Sequence, residues 1–434
     1  MADDDSHPFD QPSGPEGNPA YRTRSQRDRD RILYSSAFRR LAGITQVATP
    51  EIGHEFHNRL THTLKVSQAA VRLAQRLLQE GANPALIDVD TVDAAACGHD
   101  LGHPPFGHVA ERVLNDLGDP HGGFEGNAQS FRVVTKLAVN KSEIWGLGLT
   151  ARTLNALLKY PWLRGENRQY PDKWGAYESE QDEFLRARYG HAAHRRSLEA
   201  EIMDWADDVT FAVHDLEDFF RAGLIPLDRV VAGERERGAF VASMFQGGDH
   251  DQGLLLDNLV RDGLDAGDVD AAVEYLFDEF FVRTEPFKRT RDSRSEIRRT
   301  SSVLISRFDR RVSVDGDRLQ VPQTMRAEVA VLKQLTWHYV INRPSLAVVQ
   351  EGQRVMITEL FKKYSEAAQD EDRRVIFPAL EREQLTRTTK SHEQHRIVLD
   401  LISGLTEAMV YELHHRLTGV SRGSILDSAA RATR

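Results

Sequence analysis

A single cysteine, Cys97, occurs in 434 residues. That excludes a disulfide framework and any zinc site built from cysteine clusters, so a bound metal must be held by histidine and carboxylate side chains. The cytoplasm is the expected compartment. Long apolar runs are missing too: no stretch approaches the ~18 consecutive apolar residues of a membrane helix. Met1 is followed by Ala-Asp-Asp-Asp, not by a basic and then apolar leader, so neither export nor a membrane partner is expected. Positive charge is not in excess, since 56 Lys and Arg stand against 66 Asp and Glu, a formal net charge of −10. Such a chain does not coat nucleic acid by bulk charge, although local basic patches stay open to it.

Strand-like alternation is also scarce. The segment VSVDGDRLQVP, with Asp-Gly between two short apolar runs, is the one good hairpin candidate. Residues 1–20, MADDDSHPFDQPSGPEGNPA, carry almost no large apolar side chain and are expected to form a disordered tail. From Tyr21 onward the apolar spacing is three and four, as in RLTHTLKVSQAAVRLAQRLLQ, which Gly81, Asn83 and Pro84 stop. The expectation is an all-α protein with at most one small β-hairpin: a helical core over 21–225 and further helices over 226–434 that close a substrate pocket and form an oligomer interface.

What is present in abundance is histidine and carboxylate at suggestive spacings. His62 shares a helical face with Val66, Ala69 and Leu73, which turns its imidazole inward. Alone it would be read as a satisfied core histidine. His99 and Asp100 end the candidate helix TVDAAACGHD, and Gly102 with Pro104-Pro105 forces an immediate turn. In EIMDWADDVTFAVHDLEDFF, Asp207, Phe211 and Asp215 lie on one stripe of a helix that carries seven carboxylates, at 201, 204, 207, 208, 215, 217 and 218. Such crowding calls for a cation nearby. Together His62, His99, Asp100 and Asp207 would make a two-histidine, two-carboxylate site, whose mixed donors suit Mn²⁺, Fe²⁺, Co²⁺ or Zn²⁺ better than Mg²⁺. His108 and Glu111 lie three apart at the start of the helix HVAERVLNDL. Two readings stand for them: a helix N-terminus gaining from a first-turn carboxylate, or a general acid held by its glutamate.

The motifs RDRDRILYSSAFRRLAGITQV, HNRLTHTL, HDLGHPPFGHVAE, GGFEGNAQSFRVV, GLTARTLNALLKYPW, KWGAYESE and EIMDWADDVTFAVHDLED follow in this order over residues 27–218. The pattern resembles the deoxyguanosine triphosphate triphosphohydrolase (dGTPase) family within the HD-domain superfamily of metal-dependent phosphohydrolases. The resemblance implies an HD-type catalytic core over 21–225 and cleavage of deoxynucleoside triphosphates (dNTPs) to deoxynucleoside and inorganic triphosphate. It implies one divalent ion per site, Mn²⁺ or Mg²⁺ in activity with Fe²⁺, Co²⁺, Zn²⁺ or Ni²⁺ as further occupants, on His62, His99, Asp100 and Asp207. It further implies His108 as acid with Glu111 orienting it, Arg59, Lys159, Tyr160 and Lys173 on the phosphates, and Gln46 and Asp215 on the sugar 3′-hydroxyl. His103 is a phosphate contact by resemblance and equally a rigid-turn residue. Phe211 stands beside the sugar where the pattern usually has Tyr, and Lys65 stands where Glu is common, so strict guanine preference is not expected.

Residues 283–311 carry ten Lys or Arg against four acidic residues. A solvated face or ion-pair network is one reading; by resemblance the other is binding of an effector dNTP or single-stranded DNA. Five arginines between Arg22 and Arg31 are read as closing the pocket or a neighbouring subunit. The resemblance also implies a homo-oligomer, tetramer or hexamer. Two alternatives remain: an HD phosphohydrolase acting on another nucleotide or phosphoester, and a nucleotide- or single-strand-binding regulator.

Overall fold

The computed structural model describes residues 22–46, 56–141, 145–245, 263–281 and 284–419. The tail expected over 1–20 and Arg283 at the head of the basic stretch lie outside the described residues. Among those residues the chain is helical apart from one two-stranded antiparallel sheet, as the spacing of apolar residues predicts. The first half runs α1 (Arg24–Tyr34), α2 (Ser36–Arg40), α3 (Arg59–Gln79), α4 (Val89–Gly98), α5 (His108–Gly118), α6 (Gly126–Arg132), α7 (Ala151–Ala156), α8 (Gln181–Ala187) and α9 (Leu198–Arg221). The second half adds α10 (Leu227–Ala232), α11 (Glu234–Phe245), α12 (Ala266–Glu274), α13 (Arg291–Arg310), β1 (Ser313–Asp315), β2 (Arg318–Gln320), α14 (Gln323–Thr336), α15 (Pro344–Ala368), α16 (Ala379–Thr386), α17 (Ser391–Ser403) and α18 (Glu407–Thr418).

Helix α3 begins in a capping box. The Asn58 side chain accepts from the Thr61 amide at 2.9 Å, and Thr61 Oγ1 accepts from the Asn58 amide at 3.1 Å, a device worth about 1 kcal/mol. Its buried stripe is His62, Val66, Ala70, Leu73 and Leu77, so His62 points at α4 and α9, the helices α3 packs against. Helix α9 is the central rod, in contact with α3, α4, α7, α13 and α14, and is therefore buried on most of its circumference. Most of its carboxylates find protein partners. Glu201 takes Arg318 at 2.8 Å and the Leu319 amide at 2.7 Å, Asp204 takes Lys159 at 2.6 Å, Asp208 takes Lys333 at 2.6 Å, and Asp218 takes His57 Nδ1 at 2.6 Å. The crowding seen in the sequence is thus relieved mainly by protein partners, and Asp207 is the carboxylate of this helix that faces two histidines, His62 and His99.

The hairpin docks on α9 through those Glu201 contacts. Its closing pair is Asp315↔Arg318, so the two loop residues are Gly316 and Asp317, one position later than the Asp-Gly of the sequence reading. Gly316 supplies the positive φ, +61°, that such a tight loop needs. A second apolar cluster brings Ala110, Val113 and Leu114 of α5 against Ile357, Leu360 and Phe361 of α15 and Val398 and Ile402 of α17. The helix that starts at His108 is therefore seated on the C-terminal helices.

Candidate metal centre and acid dyad

Three elements converge where α3, the end of α4 and α9 meet. His62, His99 and Asp207 each offer an atom within 4.8 Å of the others. His62 Nε2 is 2.9 Å and His99 Nε2 is 3.5 Å from the same oxygen, Asp207 Oδ1. His99 caps α4, and its Nδ1 lies 2.7 Å from the Ala96 carbonyl oxygen, which can only accept; Nδ1 therefore carries a proton. Its Nε2 is buried without a hydrogen-bond partner. An orphaned imidazole nitrogen, oriented by a backbone carbonyl and aimed at a carboxylate, is the arrangement of a metal-binding histidine. Asp100, the fourth expected ligand, lies beside this group and outside it: Oδ1 is 3.6 Å from His99 Nε2 and 3.1 Å from His103 Nδ1, while Oδ2 receives Arg59 at 2.9 Å.

The electrostatics favour positive charge at this point. Burial alone would push His99 down, yet Asp100 and Asp207 outweigh it and raise His99 to about 9. Burial opposes ionisation of Asp207 as well, and His99, Lys159 and the hydrogen bond from His62 overcome it, holding that carboxyl well below its ordinary range. A proton or a divalent ion answers the same field, and a cation on Nε2 would displace the proton. The donor set fits a divalent ion with nitrogen and oxygen preference.

The turn between α4 and α5 carries the rest. Gly102 lies against α6 so closely that an added Cβ would sit 2.1 Å from the Ser130 amide nitrogen. Ser130 Oγ accepts from the Gly102 amide at 2.9 Å and donates to the His99 carbonyl at 2.8 Å. Phe106 and Gly107 both have positive φ, +65° and +56°, a strained reversal for phenylalanine. It delivers His108 to the first position of α5, with Nδ1 2.8 Å from Glu111 Oε2. Glu111 is buried, which opposes its charge, but Lys173 and the hydrogen bond from His108 hold it well below the usual carboxylate range. It therefore accepts Nδ1–H and leaves Nε2 on the open edge of the ring. The His108 side chain is 71% exposed against 9% for Glu111, and its ring centroid is 6.0 Å from that of His103. His103 is pushed down to about 3 by burial and by Arg59, so it stands neutral between the metal cluster and the dyad.

The three cations expected on the phosphates, Arg59, Lys159 and Lys173, are each held by carboxylates. Arg59 holds Asp100, and Lys159 holds Asp204 at 2.6 Å and Asp207 at 3.4 Å. Lys173 bridges Glu111 and Glu125, each at 3.1 Å. Tyr160, half-buried, packs edge-on against Trp162 at 5.5 Å. Gly175 seats the Lys173 segment against it, because an added Cβ there would fall 2.1 Å from the Tyr160 carbonyl oxygen. Gln46 Oε1 and Asp215 Oδ2, of the two residues expected at the sugar, are both buried without a hydrogen-bond partner. Burial, and then Asp218, push Asp215 well above its ordinary range. Phe211 sits half-buried on the same helical stripe as Asp207 and Asp215.

Sequence reasoning missed Arg40 and Glu407. Arg40 donates to the carbonyls of Leu101 at 2.7 Å and His103 at 2.8 Å, and to those of Ser403 at 2.9 Å and Leu405 at 3.1 Å. Glu407 receives the Thr45 amide at 2.9 Å and Thr45 Oγ1 at 2.7 Å. No spacing rule finds contacts across more than 350 residues of sequence to backbone atoms; the only signal was the double arginine of AFRRLAG. In the Arg22–Arg31 stretch Arg24 and Arg27 are exposed, while Arg29 pairs with Asp93 at 3.1 Å and buried Asp28 takes the Thr150 amide at 2.8 Å.

Fold and site together define an HD-domain protein. The HD domain model matches residues 59–212, and the phosphohydrolase-associated domain model matches residues 319–416. A deoxyguanosinetriphosphate triphosphohydrolase-like protein of Streptomyces coelicolor is 34% identical over 424 residues, covering 92% of this chain and 93% of its own. Proteins of the same description from Corynebacterium glutamicum and Shewanella pealeana are 31% and 28% identical, over 91% and 94% of this chain and equal shares of their own. The chain belongs to the deoxyguanosinetriphosphate triphosphohydrolase-like family.

Proposed function

We propose that this protein hydrolyses dNTPs to the deoxynucleoside and inorganic triphosphate, with a divalent ion held by His62, His99, Asp100 and Asp207. The observation that carries the reading is the orphaned His99 Nε2 in a buried carboxylate field, one turn away from a histidine–glutamate dyad. When bound, the ion supplies Lewis-acid polarisation of a phosphoryl oxygen. Displacement at the α-phosphorus expels the sugar 5′ oxygen, a poor leaving group that needs a proton as it departs. His108 gives that proton from Nε2, and Glu111 fixes its tautomer and offsets the imidazolium charge. Arg59, Lys159 and Lys173 exchange their carboxylate partners in part for phosphate oxygens, as cations do for a polyanion. Gln46 and Asp215 place polar groups for the 3′-hydroxyl, while Phe211 offers an apolar face to the sugar.

In this reading residues 21–225 form the catalytic core and 226–434 brace it. The protein works in the cytoplasm as a homo-oligomer, tetramer or hexamer, and an effector dNTP or single-stranded DNA bears on its basic stretch. No helix among the described residues is long and apolar enough to cross a membrane. The test is incubation with each dNTP, alone and in mixtures, with Mn²⁺ or Mg²⁺ and separation of products. Deoxynucleoside with inorganic triphosphate supports the reading; monophosphate with pyrophosphate, or orthophosphate alone, removes it.

A further inference from the structure

Helix α7 is followed by the loop KYPWLRGENRQYPDKWG, residues 159–175, which carries a lysine near each end. The two lysines reach different halves of the centre. Lys159 holds Asp204 and the metal-side Asp207, whereas Lys173 holds Glu125 and Glu111, the partner of His108. Burial works against both ammonium groups, yet their carboxylates outweigh it and keep both above the ordinary lysine range. A lysine is a point charge on a flexible four-carbon stem. Where it can act is therefore set by where its backbone is pinned.

The pin is Trp162. Its indole Nε1–H donates to the Lys173 carbonyl at 2.7 Å, and its own carbonyl accepts from the Gly175 amide at 3.0 Å. Gly175 has no room for a Cβ against the Tyr160 carbonyl, so the two limbs of the loop touch at this neck. Trp162 is 4% exposed, and its ring stacks on that of Tyr170 at 5.6 Å and 29°. Pro161 and Pro171, each following a tyrosine, fix φ on both limbs. The same apolar cluster takes in Ala128 of α6, whose amide donates to Glu125 Oε2 at 2.9 Å. The neck and the carboxylate that receives Lys173 thus belong to one packed unit. A loop that only connects two helices gains little from a buried, doubly bonded tryptophan at its base; one that presents two charges at a fixed separation needs a rigid base.

We propose that Trp162 is a positioning residue: by closing the neck it fixes the separation of Lys159 and Lys173, and with it the length of phosphate chain that the centre accepts. The inference rests on the proposed role of the two lysines at the phosphates. The test is equilibrium binding of inorganic triphosphate, and separately of pyrophosphate, to the full-length metal-free protein, so its outcome does not depend on turnover. Sites lost on Lys159→Ala are the ones counted. Wild-type protein that binds neither ligand there would overturn the phosphate role itself, before any Trp162 variant is made. Trp162→Phe keeps a ring against Tyr170 and removes the N–H. Trp174→Phe is its control, because Trp174 is 1% exposed in the same cluster and its Nε1 has no hydrogen-bond partner. W162F should weaken triphosphate by about fivefold, the worth of one hydrogen bond, and pyrophosphate by less than about twofold. W174F should keep the wild-type preference between the two. If W162F does not fold, benzothienylalanine in place of Trp162 keeps the bicyclic shape with sulfur for N–H and carries the same expectation. Equal losses in W162F and W174F would reduce Trp162 to packing, and equal weakening of both ligands in W162F would show that it does not set the separation; either result overturns the proposal, as does unchanged triphosphate affinity.

Discussion

The division of labour among the three histidines of GHDLGHPPFGHVAE is set by their individual partners. His99 has Nδ1 tied to Ala96 and Nε2 bare, His108 has Nδ1 tied to Glu111 and its far edge open, and His103 is buried beside Arg59. His108→Ala should therefore lower kcat by about 10²–10⁴-fold while metal content, measured by atomic emission, stays at the wild-type value. Loss of metal in that variant would move His108 into the ligand set. Glu199 gives a pH prediction away from the centre. Burial raises it from 4.5 to about 7, against the lowering effect of Arg152 and the Asp88 amide. The folded state then binds this proton more tightly than the unfolded chain, so stability falls as pH rises from about 4.5 to about 7. Arg152 Nε and the Asp88 amide both donate to Oε1, which Gln retains. Glu199→Gln should gain up to roughly 3 kcal/mol over wild type at pH 8 and progressively less toward pH 5, read from urea midpoints; a pH-independent gap would show that Glu199 titrates normally.

At the scale of elements, the reversal between α4 and α5 decides the geometry. Its glycines and prolines were legible as a turn, and so was the convergence of His62, His99 and Asp207, because a helical stripe and a helix end leave marks in spacing. What was not legible is how the turn is fixed in place. Gly102 depends on the backbone of α6, and the carbonyls of Leu101 and His103 depend on Arg40, none of which has a local signature. The hairpin was legible to within one residue, since Asp-Gly and Gly-Asp both satisfy the composition of a two-residue loop. Gly102→Ala should cost more than about 4 kcal/mol, or shift the reversal and abolish activity in whatever folds. Gly238→Ala on α11, where an added Cβ meets nothing within 4 Å, is the matched control and should be neutral or slightly stabilising. Thermal unfolding of the two variants decides the point, and equal midpoints would show that α6 yields.

Across the whole molecule, the C-terminal helices act as a brace for the turn between α4 and α5. Arg40 joins that turn to Ser403 and Leu405, Glu407 joins Thr45 to α18, and Phe106 packs edge-on against Tyr411 at 5.5 Å. Sequence periodicity identified these helices but not their task, because the brace is made of long-range contacts. Removing Arg40 leaves several carbonyls without their donor, at about 1–3 kcal/mol for each that stays dry. Arg40→Ala should thus lower the unfolding midpoint and, if it folds, reduce metal-saturated kcat more than a surface change of equal cost such as one at Arg299. Unchanged kcat at lowered stability would separate the brace from the chemistry. The central claim, displacement at the α-phosphorus with departure of the 5′ oxygen, is tested most directly by turnover of dGTP in ¹⁸O-water. The expected result is one ¹⁸O in inorganic triphosphate and unlabelled deoxyguanosine by mass spectrometry; label in the deoxyguanosine, or deoxyguanosine monophosphate with pyrophosphate, would contradict it.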